Sequence, residues 1–209
     1  MPSMTSGPRE RLLEVASRLF YAEGIHAVGV DRVVAEAGVA KATLYAHFAG
    51  KDELVAAYLA RQSLWWVATV GQRAAQARSA GADTSAVALV AFDVLAERAG
   101  TPGYRGCPFI NAAAEMPGAG PVAEQVAAHR RRVRETFCAL VGQRGSDPVL
   151  PGALVALYDG AMVAAHLDRD PDVVRHARRG AKQLLDRPPG RGQSQDAGRR
   201  IPTGAGPTR

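Results

Sequence analysis

A chain of 209 residues with 47% apolar residues is long enough, and apolar enough, to bury a real core. Its formal charge is +6, but residues 1–50 balance basic against acidic side chains, and the surplus concentrates in residues 188–209. Bulk charge therefore marks no nucleic-acid-binding half, and such a role must rest on where individual groups sit.

Residues 1–7 read as a loose leader. They lack a basic segment followed by a long apolar one, so no signal peptide is expected. No run approaches the ~18 apolar residues of a membrane span, which predicts a cytoplasmic protein without a membrane partner. Cys107 and Cys138 stand far apart and offer no disulfide framework.

The first predicted helix covers about 8–23. Pro8 suits its first turn, Leu12, Val15, Ala16, Leu19 and Phe20 repeat at helical spacing, and Gly24 stops it. Val30, Val33, Val34 and Ala37 form a second short stripe ended by Gly38, and residues 42–48 form a third helix. A long fourth helix runs from about 51 to 78, with a loop at 79–84. Further helices are predicted at about 84–99, 107–115, 122–143, 150–168 and 171–187, with Asp170 capping the last and Pro171 beginning it. Abundant Ala and the absence of long alternating runs predict an all-α fold of about nine helices with no sheet. Residues 188–209 hold one large apolar residue, Ile201, and read as a disordered basic tail.

Three short helices with a glycine between the second and third make a helix-turn-helix arrangement, with the turn at Gly38-Val39-Ala40. The third helix has a polar and aromatic side: Lys41, Ala42 and Thr43 open it, and Tyr45 and His47 follow. Leu44 and Phe48, four residues apart, face inward. Such a helix enters the major groove with its first residues at the base edges. Only three lysines occur in the chain, and two of them, Lys41 and Lys51, bracket this helix. Lys51 opens the fourth helix, where free backbone N–H groups and an ammonium can share a phosphate.

The stretch from Arg9 to Leu59, and AGVAKATLYAHFAGKDEL within it, resembles the TetR family of bacterial repressors. The resemblance implies an N-terminal DNA-binding domain over 1–50, and a ligand-binding and dimerisation domain over 51–187. It assigns Lys41, Thr43, Tyr45 and His47 to DNA, with Lys51 on phosphate, and implies dimerisation through the last two helices. Two departures concern capping: Ala40 stands where Ser is frequent before the recognition helix, and Gly29 where Thr often begins the second helix. RGCPFINAAAEMP at 105–117 and LYDGAMVAAHLDRDP at 157–171 are similar to segments of one branch of these regulators and name no ligand.

Beyond the resemblance, Phe92, Phe109, Phe137 and Met162 lie on apolar helix faces, where they either fill the core or together line a ligand pocket between helices. Trp65 and Trp66, midway along the fourth helix, either divide between core and surface or put at least one ring on that pocket's wall. The two tryptophans lie about 100° apart around the helix, so both rarely face one core. Asn111, inside an apolar run, needs a partner: backbone, water or ligand. A lone thiol at Cys107 reads as inert. His129, beside Arg130, Arg131, Arg132 and Arg134, reads as part of a solvated face. Gly160, Ala161 and Ala164, with Leu157, Val174, Ala177, Ala181 and Leu184, are expected at a four-helix homodimer seam.

No H-E-x-x-H, no G-x-S-x-G and no phosphate-cradling glycine loop occurs, and the histidines lack metal-ligand spacing. An enzyme is therefore not expected, nor a metal or cofactor. The expected function is a ligand-responsive regulator that binds a double-stranded, palindromic operator as a homodimer and is released by a small apolar effector. The alternative is a ligand- or protein-binding helical dimer without DNA binding.

Overall fold

A computed structural model describes residues 7–142 and 149–187; the predicted basic tail and the end of the 122–143 helix lie outside them. Among the described residues the chain is helical, with no strand: α1 (Pro8–Glu23), α2 (Val30–Ala37), α3 (Lys41–His47), α4 (Lys51–Ser79), α5 (Thr84–Ala99), α6 (Pro108–Glu115), α7 (Pro121–Val141), α8 (Val149–Leu167) and α9 (Asp172–Asp186). The helix ends follow local chemistry. Pro8 sits in the first turn of α1, and Gly24 closes it at φ 99° with its N–H on the Phe20 carbonyl. Gly38 ends α2 in the left-handed conformation, φ 63° and ψ 41°. Asp83 caps α5 by accepting from the Ala86 N–H at 2.7 Å. The last helix starts one residue later than predicted, because Pro171 serves as its cap; the Asp170 carboxylate still accepts from the Asp172 N–H at 2.8 Å.

Two apolar cores result. The head core gathers Leu12, Val15, Leu19 and Phe20 of α1, Val33 and Val34 of α2, Leu44 and Phe48 around α3, and Leu54, Val55, Tyr58 and Leu59 of α4. It also takes in Phe109 and Ala112 of α6 and Val122 of α7. The packing therefore does not break at residue 50, where the sequence places a boundary. The body core joins Trp66 and Val70 of α4, most of α5, Phe137 and Val141 of α7, Leu154 and Tyr158 of α8, and Val174, Ala181 and Leu185 of α9. The middle of it is an aromatic knot in which Phe92, Phe137 and Tyr158 meet edge to face at 5.5–6.1 Å.

Ion pairs stiffen the head. Arg32 bridges Glu23 and Glu36, and Arg18 also reaches Glu36. These bonds hold α2 against α1 and keep both carboxyls below their usual range. One helix departs from expectation. Among the described residues α8 is long and apolar enough to cross a membrane by length and composition, although Pro151, two glycines, Asp159 and His166 interrupt the run. It packs on α9, α7 and α5.

Candidate nucleic-acid interface and ligand cavity

The head presents α3 outward. Leu44 and Phe48 are buried beneath it, and Val39 of the turn packs part-buried on the same core. Lys41, Ala42, Tyr45 and His47 are exposed, Thr43 partly so; Tyr45 keeps 52% of its surface free. Neither Tyr45 nor His47 has a side-chain hydrogen bond among the described residues. The α3 cap is Ala40, with no side-chain hydrogen bond, and the α2 cap is Gly29, likewise bare. Both missing hydroxyls noted in the sequence are thus missing caps. Lys41 is not free: its Nζ lies 2.7 Å from the Asp31 carboxylate, which raises its pKa. Lys51, half-buried at the start of α4, has no ion pair among the described residues. Sequence reasoning missed Arg9, whose guanidinium sits 5.2 Å from the Phe48 ring centroid, beside the end of α3.

The body holds a cavity of about 130 Å³ between α4, α5, α6, α7 and α8. Trp66, Phe109 and Met162, all singled out in the sequence, line it. The other four do not. Trp65 lies outside, 43% exposed, under the Arg98 guanidinium at 4.9 Å, because its neighbour Trp66 takes the inward direction. Phe92 and Phe137 are fully buried in the aromatic knot behind the wall. The Asn111 amide donates to the Arg105 carbonyl at 3.0 Å, closing the turn before α6.

Residues the sequence did not assign supply most of the polar wall. His129 is buried, not solvated as expected. Its ring stacks on Phe109 at 3.6 Å, and Nδ1 lies 3.0 Å from the Ser63 hydroxyl. Burial, with the charges of Arg130 and Arg132 adding to it, lowers its pKa to about 4. Tyr158 accepts from the Trp66 indole N–H at 3.0 Å, and burial raises its phenol pKa. Arg130 grips Asp159 through both carboxylate oxygens, at 2.9 and 2.8 Å. Cys107 is also on the wall, its thiol pushed up by burial; such a thiol carries little thiolate at neutral pH. Among the described residues no group of His, Cys, Asp or Glu is placed to hold a metal ion.

The same wall is tied to the head. The His26 N–H donates to the Glu115 carboxylate at 2.7 Å, and the His26 ring bonds the Glu115 carbonyl. The Tyr21 hydroxyl donates to the Gly106 carbonyl at 3.2 Å and accepts from the Arg105 N–H at 2.9 Å. Arg105 also donates to the Ala22 carbonyl at 2.7 Å. Segment 105–115 is thus both cavity wall and anchor of the loop between α1 and α2.

The last two helices correct part of the predicted seam. Ala161, Val174 and Ala181 are buried inside the chain's own body, because α8 and α9 turn those faces toward each other and toward α5. Leu157 packs over Gly180, and Ala164, Ala177 and Leu184 are half-buried. Gly160 is exposed. It belongs to a continuous outward stripe on α8: Val149, Gly152, Ala156, Gly160, Val163 and Leu167, the last 71% exposed.

The profile of the bacterial regulatory proteins of the tetR family matches residues 12–58, which covers α1–α3 and the start of α4. An uncharacterized HTH-type transcriptional regulator of Bacillus subtilis strain 168 is 49% identical over 47 residues, 22% of this chain and 25% of its own length. The HTH-type transcriptional activator FasR of Mycolicibacterium smegmatis is 47% identical over 53 residues, 25% of this chain and 24% of its own. The chain thus aligns with only about a quarter of each of these curated relatives. Among solved structures, a TetR-family transcriptional regulator from Streptomyces coelicolor is 40% identical with a TM-score of 0.74, over 85% of this chain and 94% of that one. A match of that depth over nearly a whole relative, with the head profile and the all-helical architecture, shows that the chain belongs to the TetR family, a family of transcription regulators and not of enzymes.

Proposed function

We propose that the chain is a dimeric, ligand-responsive repressor that binds a near-palindromic DNA operator. The observation that carries this reading is the α3 surface: a polar, aromatic face held out by two buried anchors, with its polar side chains, apart from Lys41, unengaged among the described residues. Lys41 and Thr43 are placed to read base edges, Tyr45 and His47 to extend the contact, and Lys51 to hold a phosphate. Asp31 acts as a stand-in for DNA phosphate on Lys41 and gives way when the duplex arrives.

The outward stripe on α8 supports a homodimer. Small residues at Gly152, Ala156 and Gly160 let a second copy of the helix approach closely, and Val149, Val163 and Leu167 gain cover. That accounts for a helix apolar enough to span a membrane within a regulator that works on cytoplasmic DNA. Two recognition helices then meet half-sites about 34–36 Å apart.

Release follows from the shared wall. An effector that needs more room than the cavity offers displaces α6, and the bonds from Glu115 to His26 and from Arg105 and Gly106 to Tyr21 carry that shift to the head. Effector and DNA then weaken each other by the same factor. The test is selection of bound duplexes from random sequence, then anisotropy titration of the selected site at fixed salt. The expected result is a two-fold symmetric site bound selectively by the dimer. Sequence-independent binding alone, or none, overturns the reading. A reporter downstream of that site gives the sign of regulation, repression being expected; the relative FasR bears the name of an activator.

A further inference from the structure

Among the described residues, the polar side chains on the cavity wall offer more donors than free acceptors, with the Gln62 amide presenting both. The one carboxylate lining the cavity among the described residues, Asp159, accepts from Arg130 through both oxygens. The Tyr158 oxygen accepts from Trp66, and its own proton has no acceptor among the described residues. The Ser63 hydroxyl accepts from Arg132 at 3.1 Å and lies 3.0 Å from His129 Nδ1. Donation from Ser63 to Nδ1 satisfies both groups and leaves the imidazole proton on Nε2, which has no partner among the described residues.

Arg98 adds charge. It lines both the cavity and the open groove outside, so it stands at the rim, and it has no carboxylate partner among the described residues. Its guanidinium rests between the Trp65 and Tyr21 rings, at 4.9 and 5.8 Å. Most of the remaining wall is apolar, with Trp66, Phe109 and Met162 prominent. A volume of about 130 Å³ is a little below the ~150 Å³ of a cavity that accepts benzene, so a single ring nearly fills it and a ring carrying a carboxylate asks for more room.

We propose that this cavity takes a single-ring aromatic carboxylate, with its ring on the Trp66, Phe109 and Met162 surface and its oxygens on the Tyr158 hydroxyl and His129 Nε2. Arg98 supplies the opposite charge at the entrance. A buried carboxylate is tolerated only when hydrogen-bonded and charge-balanced, and this wall offers both. A cation finds no free acid here and meets Arg98 on the way in. The proposal rests on the effector-site reading above and narrows it.

The experiment titrates the full-length protein with benzoate, benzamidine and toluene at pH 7, by calorimetry and by the change in tryptophan fluorescence, Trp66 lining the cavity and Trp65 lying outside it. Benzoate is expected to bind at least tenfold more tightly than benzamidine. Arg98→Gln and His129→Gln should each weaken benzoate at least fivefold and leave toluene within twofold. The proposal is overturned if benzamidine matches benzoate, if benzoate does not bind, or if Arg98→Gln leaves benzoate affinity unchanged. Arg98 lies at the rim, so that variant decides the matter even if His129→Gln fails to fold. Anisotropy on the selected operator separates the two readings. Benzoate that binds as expected without shifting DNA affinity removes the release mechanism and keeps the ligand class. DNA release by toluene without benzoate binding does the reverse.

Discussion

In the head, α3 turns Tyr45 and His47 to solvent and keeps Leu44 and Phe48 beneath them. In the body, the groups with unengaged polar capacity face the other way, around a small cavity. A helix that meets DNA needs polar groups outside and apolar anchors inside, the ordinary pattern of a surface helix. A pocket inverts the pattern, placing His129 and Tyr158 on apolar helix faces. Head function can therefore be altered without touching stability, whereas body function and stability share residues.

The sharpest way to break that contrast is to cut an anchor in the head. Leu44→Ala removes a fully buried side chain, and a cost of about 2–5 kcal/mol is expected by chemical denaturation, with DNA binding lost alongside. Next comes acid. His129 is held near pKa 4 in the folded chain against 6.5 for the free group, so the unfolded chain takes up its proton first as pH falls. Stability from this residue is complete above about pH 6.5 and declines down to about pH 4, by roughly 3 kcal/mol in all. Denaturation at several pH values should show the decline, and His129→Gln should flatten it. A smaller effect belongs to the exposed face. Tyr45→Ala should leave unfolding within about 0.5 kcal/mol of the parent and weaken operator binding by about 1–3 kcal/mol. A stability loss as large as that of Leu44→Ala would erase the distinction between head and body. The smallest is at the tether. Glu115→Ala removes the carboxylate that holds the His26 N–H, at a cost of about 1 kcal/mol, and should reduce the effector's influence on DNA affinity without abolishing either binding event.

The helices were legible in the sequence to within a residue or two, because Pro8, Gly24, Gly38 and the apolar spacings act locally. The α3 surface was legible for the same reason: seven residues decide which way each one points. The cavity was only partly so. Trp66 and Trp65 are adjacent, and which one turns inward depends on α8, since Tyr158 takes the Trp66 N–H. His129 was misjudged from its arginine neighbours. A usable signal existed, for it lies three residues after Val126 and four before Val133, on the apolar side of α7. The same kind of spacing, 149-152-156-160-163-167, marks the outer stripe of α8 better than small residue size did. The bonds between Glu115 and His26 span 89 positions, and no local pattern foretells them.

Phe109, Ala112 and Val122 belong to the head core although they lie far from it in the chain. A chimeric sensor would splice the reader of one regulator onto the receptor of another, and the start of α4 is the obvious place to cut. Here such a splice would leave the transplanted reader without its floor. A working graft would have to carry segment 104–122 along with the first 59 residues, so the recipient would inherit part of the donor's cavity wall together with its reader.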